Sequence, residues 1–517
     1  MAMSCPVVDN ELRELSNLIS ERMGIDFADR KLVELRRGIE RAAIAFGHHD
    51  ANACLRWLLT TPLTQEMIET LASYLTIGET YFFRDEKTLK VIEERVLPET
   101  IRGASGTNKI LRIWSAGCST GEEPYSIAIM LHRNIPDLSQ WKVTILATDI
   151  NPVSLRKAEE GIYTEWSFRG MPPVWKKQYF EKEAKGRYRL SPEIKRLVTF
   201  SYHNLAQDPF PSLLNNTNAM NVILCRNVLM YFSAKVRRRV VQNLSSTLVE
   251  GGWLLSSPAE TGLLDHSSLK KVTLFGALVH RKMTERRTDK KPEPVALINP
   301  LNTPGSKNDH LGTILEDKPG AVGPVDIATR VPDLSETYAV HNIRNANNTG
   351  ELRFEDAQRL YEQGRYEEIT TLISSLPQGR HPAETESGRF AALAARCFAN
   401  VGKLEEAEKW CRDAIQVDKM NPSYHYLCAT IQQELGQTED AMRSFQKALY
   451  LDQSFVPAHF ALANLTRSLE SSETSRRHFR NVLQLLEKYK DEDPIPETEG
   501  LTAARLRAIV LALSGGV

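Results

Sequence analysis

The 517 residues contain only seven cysteines, scattered and without a C-x-x-C pair. An odd, unpatterned count argues against a disulfide framework and suits a reducing cytoplasm. The twelve histidines form no H-E-x-x-H or Cys/His grouping, so no metal is expected. No uncharged apolar run is long enough to cross a bilayer. The start, MAMSCPVVDNELREL, lacks a basic stretch followed by an apolar core, so a secretory signal is not expected. Lys+Arg of 65 balance Asp+Glu of 65, and no global field points to nucleic acid or membrane. What remains is an ordinary soluble composition, 42% hydrophobic, at a length that suggests roughly three to four domains.

The chain is organised around residues 110–130, ILRIWSAGCSTGEEPYSIAIM. An apolar β-rich start breaks into small residues and resumes at helical spacing, giving strand, tight turn and helix. The turn has neither a Lys-Ser/Thr pair nor G-x-G-x-x-G, so it is no phosphate grip. Glu122 and Glu123 in the first helical turn would repel a pyrophosphate and suit a cationic ligand. On the turn alone, a plain structural bend is an equally good reading.

Further strands follow. WKVTILATDIN ends in Asp149, where α/β sites hydrogen-bond ribose hydroxyls. Residues 163–195 are irregular and aromatic and read as an insertion. LVTFSYHNL ends at Asn204, and MNVILCRNVLMYF runs into Arg226 and Asn227, a break in a buried strand of the kind found at functional sites. Ser233 is expected to cap a helix ending at Gly251–Gly252, before WLLSS resumes the sheet. Ser115, Asp149, Asn204 and Arg226 therefore form a series of polar strand ends, which should converge outside the carboxyl edge of the sheet.

Amphipathic helices are expected at 9–23, 28–46, 51–60 and 64–75. In the second, Arg30, Arg37 and Arg41 lie opposite the apolar face, either as a solvated surface or as a docking stripe for an acidic partner. The junction TIGETYFFRD places Phe82–Phe83 beside Thr80 and Arg84. Buried packing explains the aromatics, while Arg84 suits a carboxylate. Beyond residue 283 the apolar periodicity disappears into Pro, Gly, Asn and Lys, a disordered linker by composition whose reach would let the two halves move independently. Then Gly402 recurs as Gly436, Ala407 as Ala441, Ala414 as Ala448 and Asp418 as Asp452, at the 34-residue period of tetratricopeptide (TPR) repeats. Such helical pairs bury their faces by stacking and leave a surface for a peptide or protein. An array that merely packs on the rest of the chain is the bland alternative.

SAGCSTGEEPYSIA, ATDI, the Asn204–Leu205 pair and CRNVLMYF together resemble the CheR-type chemoreceptor glutamate methyltransferases, over about residues 10–283. The resemblance implies an α/β protein with a small all-α N-terminal domain (1–97) and a doubly wound Rossmann-like methyltransferase domain (98–283), to which composition and the 34-residue period add the linker (284–350), a TPR solenoid (351–490) and a helical tail (491–517). It implies S-adenosyl-L-methionine as cofactor, S-adenosyl-L-homocysteine as product, and no metal. Glu122 or Glu123 would hold the methionine amino group, Asp149 the ribose hydroxyls, and Asn204 and Leu205 would border the adenine. Thr80 and Arg84 would reach the cofactor from the helical domain. Arg226, Asn227 and Tyr231 would line the transfer pocket, with Arg226 and Tyr231 orienting the incoming glutamate. Arg30, Arg37 and Arg41 would contact the receptor. One departure is Gly78, where the family often has Asn. The implied partners are a chemoreceptor cytoplasmic domain and a protein or peptide on the repeats. The implied location is the cytoplasm, open to recruitment to membrane receptor arrays. The rivals are a non-catalytic adaptor of a chemosensory complex and a nucleic-acid methyltransferase. The neutral charge and the absence of an Asn/Asp-Pro-Pro-aromatic site argue against the second.

Overall fold

A computed structural model of the chain describes residues 6–27, 31–104, 109–283, 353–375, 387–468, 472–498 and 500–514. The linker expected over 284–350 and Arg30 lie outside these residues. Among the described residues no helix is long and apolar enough to cross a membrane.

The chain opens on helices α1 (Pro6–Met23), α2 (Leu32–Ala45), α3 (Ala51–Thr60) and α4 (Gln65–Leu75). Leu35, Ile39 and Ala43 of α2 are buried, whereas Arg37 and Arg41 are exposed. Asp50 and Thr64 cap α3 and α4 by accepting first-turn amides.

The central sheet has seven strands: β1 (Ile110–Ala116), β2 (Lys142–Asp149), β6 (Val198–Tyr202), β7 (Met220–Leu224), β8 (Leu248–Leu255), β9 (Leu269–Leu274) and β10 (Ala277–Lys282). Their order is β6-β2-β1-β7-β8-β10-β9, parallel through β8, with β10 antiparallel to both its neighbours. The chain winds outward from β1 to β2 and β6, then returns to β7 on the other side of β1. That reversal opens a crevice at the carboxyl ends of β1 and β7. β1 is buried along all but its first residue, the signature of a strand covered on both faces.

Two expectations are corrected here. The helix after Ser233 ends at Thr247, and Gly251 and Gly252 lie inside β8. Gly251 takes φ +72° beside an irregularity in the β7–β8 register, so this glycine marks a distorted strand, not a helix stop. Ser233 precedes the helix, but its side chain makes no capping bond. The stretch 163–195 is not merely irregular either: β3 (Ile162–Thr164), β4 (Phe180–Lys182) and β5 (Arg187–Leu190) form a small antiparallel sheet in the order β3-β5-β4. Its aromatic side chains enclose Phe82, which stacks on Phe168 at 5.3 Å and meets Tyr163 edge-on at 4.8 Å.

The C-terminal half is built of helices in antiparallel pairs, such as Leu404–Val417 after Ser387–Asn400 and Thr438–Leu451 after Pro422–Glu434, with a turn closed by a Pro494–Thr502 bridge before its last helix. Ala407, Ala414, Ala441 and Ala448 are fully buried where paired helices meet. Gly402 (φ +80°) and Gly436 (φ +79°) close the first helix of each pair in the left-handed conformation that glycine adopts without strain. The tail forms a further helix, Ala503–Ser514, whose Leu506 and Val510 pack with Phe479 and Leu486 of the last pair.

The two halves are not independent, contrary to the expectation from the linker. The repeats dock on the sheet. Arg112 near the start of β1 pairs with Glu434, and Lys142 at the start of β2 donates to Gln433 O at 2.8 Å. Lys282 on β10 donates to Glu367 at 2.5 Å. The partners are 85 to 322 residues apart, so no local pattern in the sequence announced them.

Candidate functional site

At the carboxyl edge of the sheet lie two adjoining cavities, which share Ile77, Gly117, Ser119, Asn227 and Tyr231 in their walls. The turn after β1 shapes both. Gly117 has φ +85°, and a Cβ there would stand 2.3 Å from Val228 Cγ2. Only glycine lets the two loops approach this closely.

The first cavity is bordered by Asp149, Asn204 and Leu205. Asp149 Oδ2 accepts the Ser119 amide at 2.8 Å and Oδ1 accepts the Asn151 amide at 2.9 Å. Burial pushes its pKa up, opposed by those amides. With the Ile150 amide a third donor, the carboxylate's four lone-pair sites still leave acceptor capacity for a hydroxyl. The Asn204 side chain is spent on structure: its Nδ2 donates to Arg22 O at 2.8 Å and its Oδ1 accepts the Ala206 amide at 3.0 Å. Gly78 lines the same cavity, and its carbonyl accepts Ser119 Oγ at 3.1 Å.

The second cavity contains Thr80, Arg84, Glu123 and Arg226. Here the structure separates the two glutamates. Glu122 is buried and lines neither cavity. Its carboxylate accepts Thr120 Oγ1 at 2.6 Å and Ser167 Oγ at 3.0 Å, and burial raises its pKa. The assignment of Glu122 to a ligand is therefore corrected: helical rotation turns it inward toward the aromatic insertion. Glu123 faces the cavity and accepts Ser115 Oγ at 2.7 Å and Arg226 Nη1 at 3.0 Å.

Arg226 lines this cavity, but both of its terminal nitrogens are engaged. Nη2 donates to Arg84 O at 3.0 Å and lies 3.3 Å from Asp85 Oδ2. Its Nε is buried without a partner. A guanidinium held this way organises the wall and is not free to orient an incoming carboxylate. Arg84 reaches the cavity over the Tyr81 ring, 5.8 Å from its centroid, with Nη1 donating to Glu79 O at 2.7 Å. Tyr231 lies between the cavities, with Lys31 Nζ 5.4 Å from its ring centroid. Arg37 and Arg41 lie outside both cavities, and Arg41 donates to Tyr74 O at 2.9 Å.

Strained backbone gathers around the same spot. Phe83, Asp85, Ser119 and Asn227 all have positive φ without being glycine. Such conformations persist where the surroundings over-determine them, commonly at functional sites. Sequence reasoning missed the residue that holds one of them. Glu260, fully buried, accepts the amides of Asn227 (2.6 Å), Val228 (2.7 Å) and Met230 (3.2 Å) and the Ser257 hydroxyl (2.6 Å). It follows the carboxyl end of β8, so extending the series of polar strand ends by one strand would have found it.

Among the described residues no group of three or more His, Cys, Asp or Glu could hold a metal ion. Residues 78–272 match the family described as CheR methyltransferase, SAM binding domain, and residues 422–455 match a tetratricopeptide repeat. The chemotaxis protein methyltransferase of Borreliella burgdorferi is 30% identical over 257 residues, covering 49% of this chain and 89% of that protein. Chemotaxis protein methyltransferase 2 of Vibrio cholerae is 32% identical over 256 residues, covering 49% and 86%. Chemotaxis protein methyltransferase 1 of Pseudomonas aeruginosa is 38% identical over 204 residues, covering 38% and 72%.

Proposed function

Because the chain belongs to the CheR methyltransferase family, whose relatives above are chemotaxis protein methyltransferases, we propose that it methylates glutamate side chains of a methyl-accepting chemoreceptor. The products would be glutamate methyl esters and S-adenosyl-L-homocysteine, and the repeats would bind a protein or peptide partner. The observation that carries this reading is the pairing of Asp149 in one cavity with Glu123 and Arg84 in the next, across a shared glycine turn.

The donor set fits S-adenosyl-L-methionine. Asp149 retains acceptor capacity for the ribose diol, Glu123 suits the ammonium, and Arg84 suits the carboxylate. Leu205 gives the first cavity an apolar wall suited to adenine, and the Asn204 backbone, not its committed side chain, would border the base. When bound, the cofactor supplies a methyl group on a positively charged sulfur. The acceptor carboxylate is already ionised near neutral pH, so this chain needs no general base. Its residues have alignment to perform, which can contribute roughly 7–11 kcal/mol. Arg226 acts as a positioning residue that fixes Glu123 to the Arg84–Asp85 loop. Tyr231, in the wall of both cavities, is the group that would meet the incoming glutamate. Arg37 and Arg41 would extend this approach with positive charge for an acidic receptor surface.

The test is transfer of labelled methyl from S-adenosyl-L-methionine to the cytoplasmic fragment of a receptor from the same genome. The expected label is volatile in base, as a glutamyl ester must be, and disappears with Asp149→Ala. Cofactor binding without transfer to any receptor fragment would favour the adaptor reading. Failure to bind the cofactor would overturn both.

A further inference from the structure

The tail helix Ala503–Ser514 belongs to the repeat half, yet it sends one side chain deep into the other. Arg505 is 5% exposed and meets three separate parts of the chain. Its Nη2 donates to Tyr202 O at 3.2 Å, and its guanidinium lies 3.5 Å from the Tyr202 ring centroid. Its Nη1 donates to Glu69 on α4 at 3.4 Å, and its Nε lies 3.5 Å from Asp208 Oδ1.

These contacts lead to the first cavity by two short routes. Asp208 Oδ2 accepts the Asn204 amide at 2.7 Å and lies 3.8 Å from His203 Nδ1, and both Asn204 and His203 line the cavity. Tyr202 is the residue on β6 that pairs with Asp149 on β2, and the next amide, His203 N, donates to Asp149 O at 3.1 Å. The strand end that carries one wall of the cavity and braces Asp149 therefore rests on a guanidinium from the far end of the chain. Asp208, with only 12% of its side chain exposed, is thus held between Arg505 on one side and the Asn204 amide on the other.

We propose that Arg505 is a positioning residue for the cofactor cavity, so that cofactor affinity depends on the tail helix of the repeat array being seated. This rests on the cofactor reading above. Ligand and tail seating are then linked, and whatever shifts one shifts the other by the same factor.

The test is calorimetric titration of S-adenosyl-L-homocysteine into the full chain and three full-length variants, with thermal melts of each. Arg505→Gln keeps the size and one donor but removes the charge, and it should weaken binding about tenfold. Arg505→Lys restores a cation near Asp208 and Glu69 and should recover most of that loss. Glu434→Gln breaks the docking pair at the opposite end of the strands. It should lower the melting temperature while leaving binding unchanged, which a general loosening of the array would not. Unaltered binding by Arg505→Gln, or equal weakening by Glu434→Gln, overturns the inference. No binding by the unaltered chain overturns the cofactor reading and this inference with it.

Discussion

Asn227 stands at a left-handed φ of +58° with its amide 2.6 Å from a carboxylate oxygen of Glu260. The carboxylate has no access to solvent and is stabilised by the backbone of the loop it shapes, together with Ser257. Glu260→Ala would leave several amides unpaired at once. A loss of about 3 kcal/mol or more is expected, given the usual strength of bonds to a charged group. Urea unfolding measures it. Cofactor affinity should fall as well, because Asn227 and Tyr231 hang on this loop. A variant as stable as the unaltered chain would refute the role.

The adjacent glutamates should behave oppositely. Glu123→Gln removes the charge that faces the cavity and that Arg226 grips, so cofactor binding should weaken about ten- to a hundred-fold. Glu122→Gln, outside both cavities, still accepts from one of the Thr120 and Ser167 hydroxyls and can donate to the other, so it should leave binding within about threefold. Dissociation constants for both variants decide between them.

Asp149→Ala should also weaken binding about ten- to a hundred-fold, since it removes the proposed acceptor for the diol and releases the Ser119 and Asn151 amides. Burial holds this carboxyl above the ordinary aspartate range. Only the ionised form keeps its full acceptor capacity. Affinity should therefore begin to fall, on acidification, at a higher pH than an ordinary aspartate would give. A binding curve against pH checks this.

Acid stability should be governed by buried histidines. Burial pushes His280 down from 6.5 to about 4, and neither ring nitrogen has a partner. His203 and His478 are also lowered to about 4 by burial. Each is neutral when folded and takes up a proton more readily when unfolded. The stability is complete above the unfolded value near 6.5, falls as pH drops, and is gone below about 4. Each group contributes on the order of 1–3 kcal/mol to that slope. His280→Leu should flatten part of it, as read from urea midpoints on either side of that interval.

The sequence was most legible where periodicity and turn chemistry act over short range. Residues 110–130 fold as strand, turn and helix, and the helices at 51–60 and 64–75 fall within a residue of their expected bounds. The 34-residue recurrence marks helical pairs, because small residues must recur where helices touch. It was less legible where a glycine had two uses, as at Gly251, or where aromatic spacing hid three short strands. The pairing of Glu122 and Glu123 stayed open because neighbours on a helix differ by about 100° in direction, and only the packed sheet says which direction is the cavity.

By itself, then, the sequence determined the elements and the chemical types at the strand ends, since these follow from local propensity and from the rule that places sites at the carboxyl edge of parallel strands. The tertiary structure decided which carboxylate faces the cavity, that Arg226 is engaged by Glu123 and Asp85, and that Glu260 holds the Asn227 loop. It also decided that Arg505 in the last helix reaches Tyr202, Asp208 and Glu69. Those are contacts between residues far apart in the chain, fixed by how the layers pack, and no local pattern encodes them.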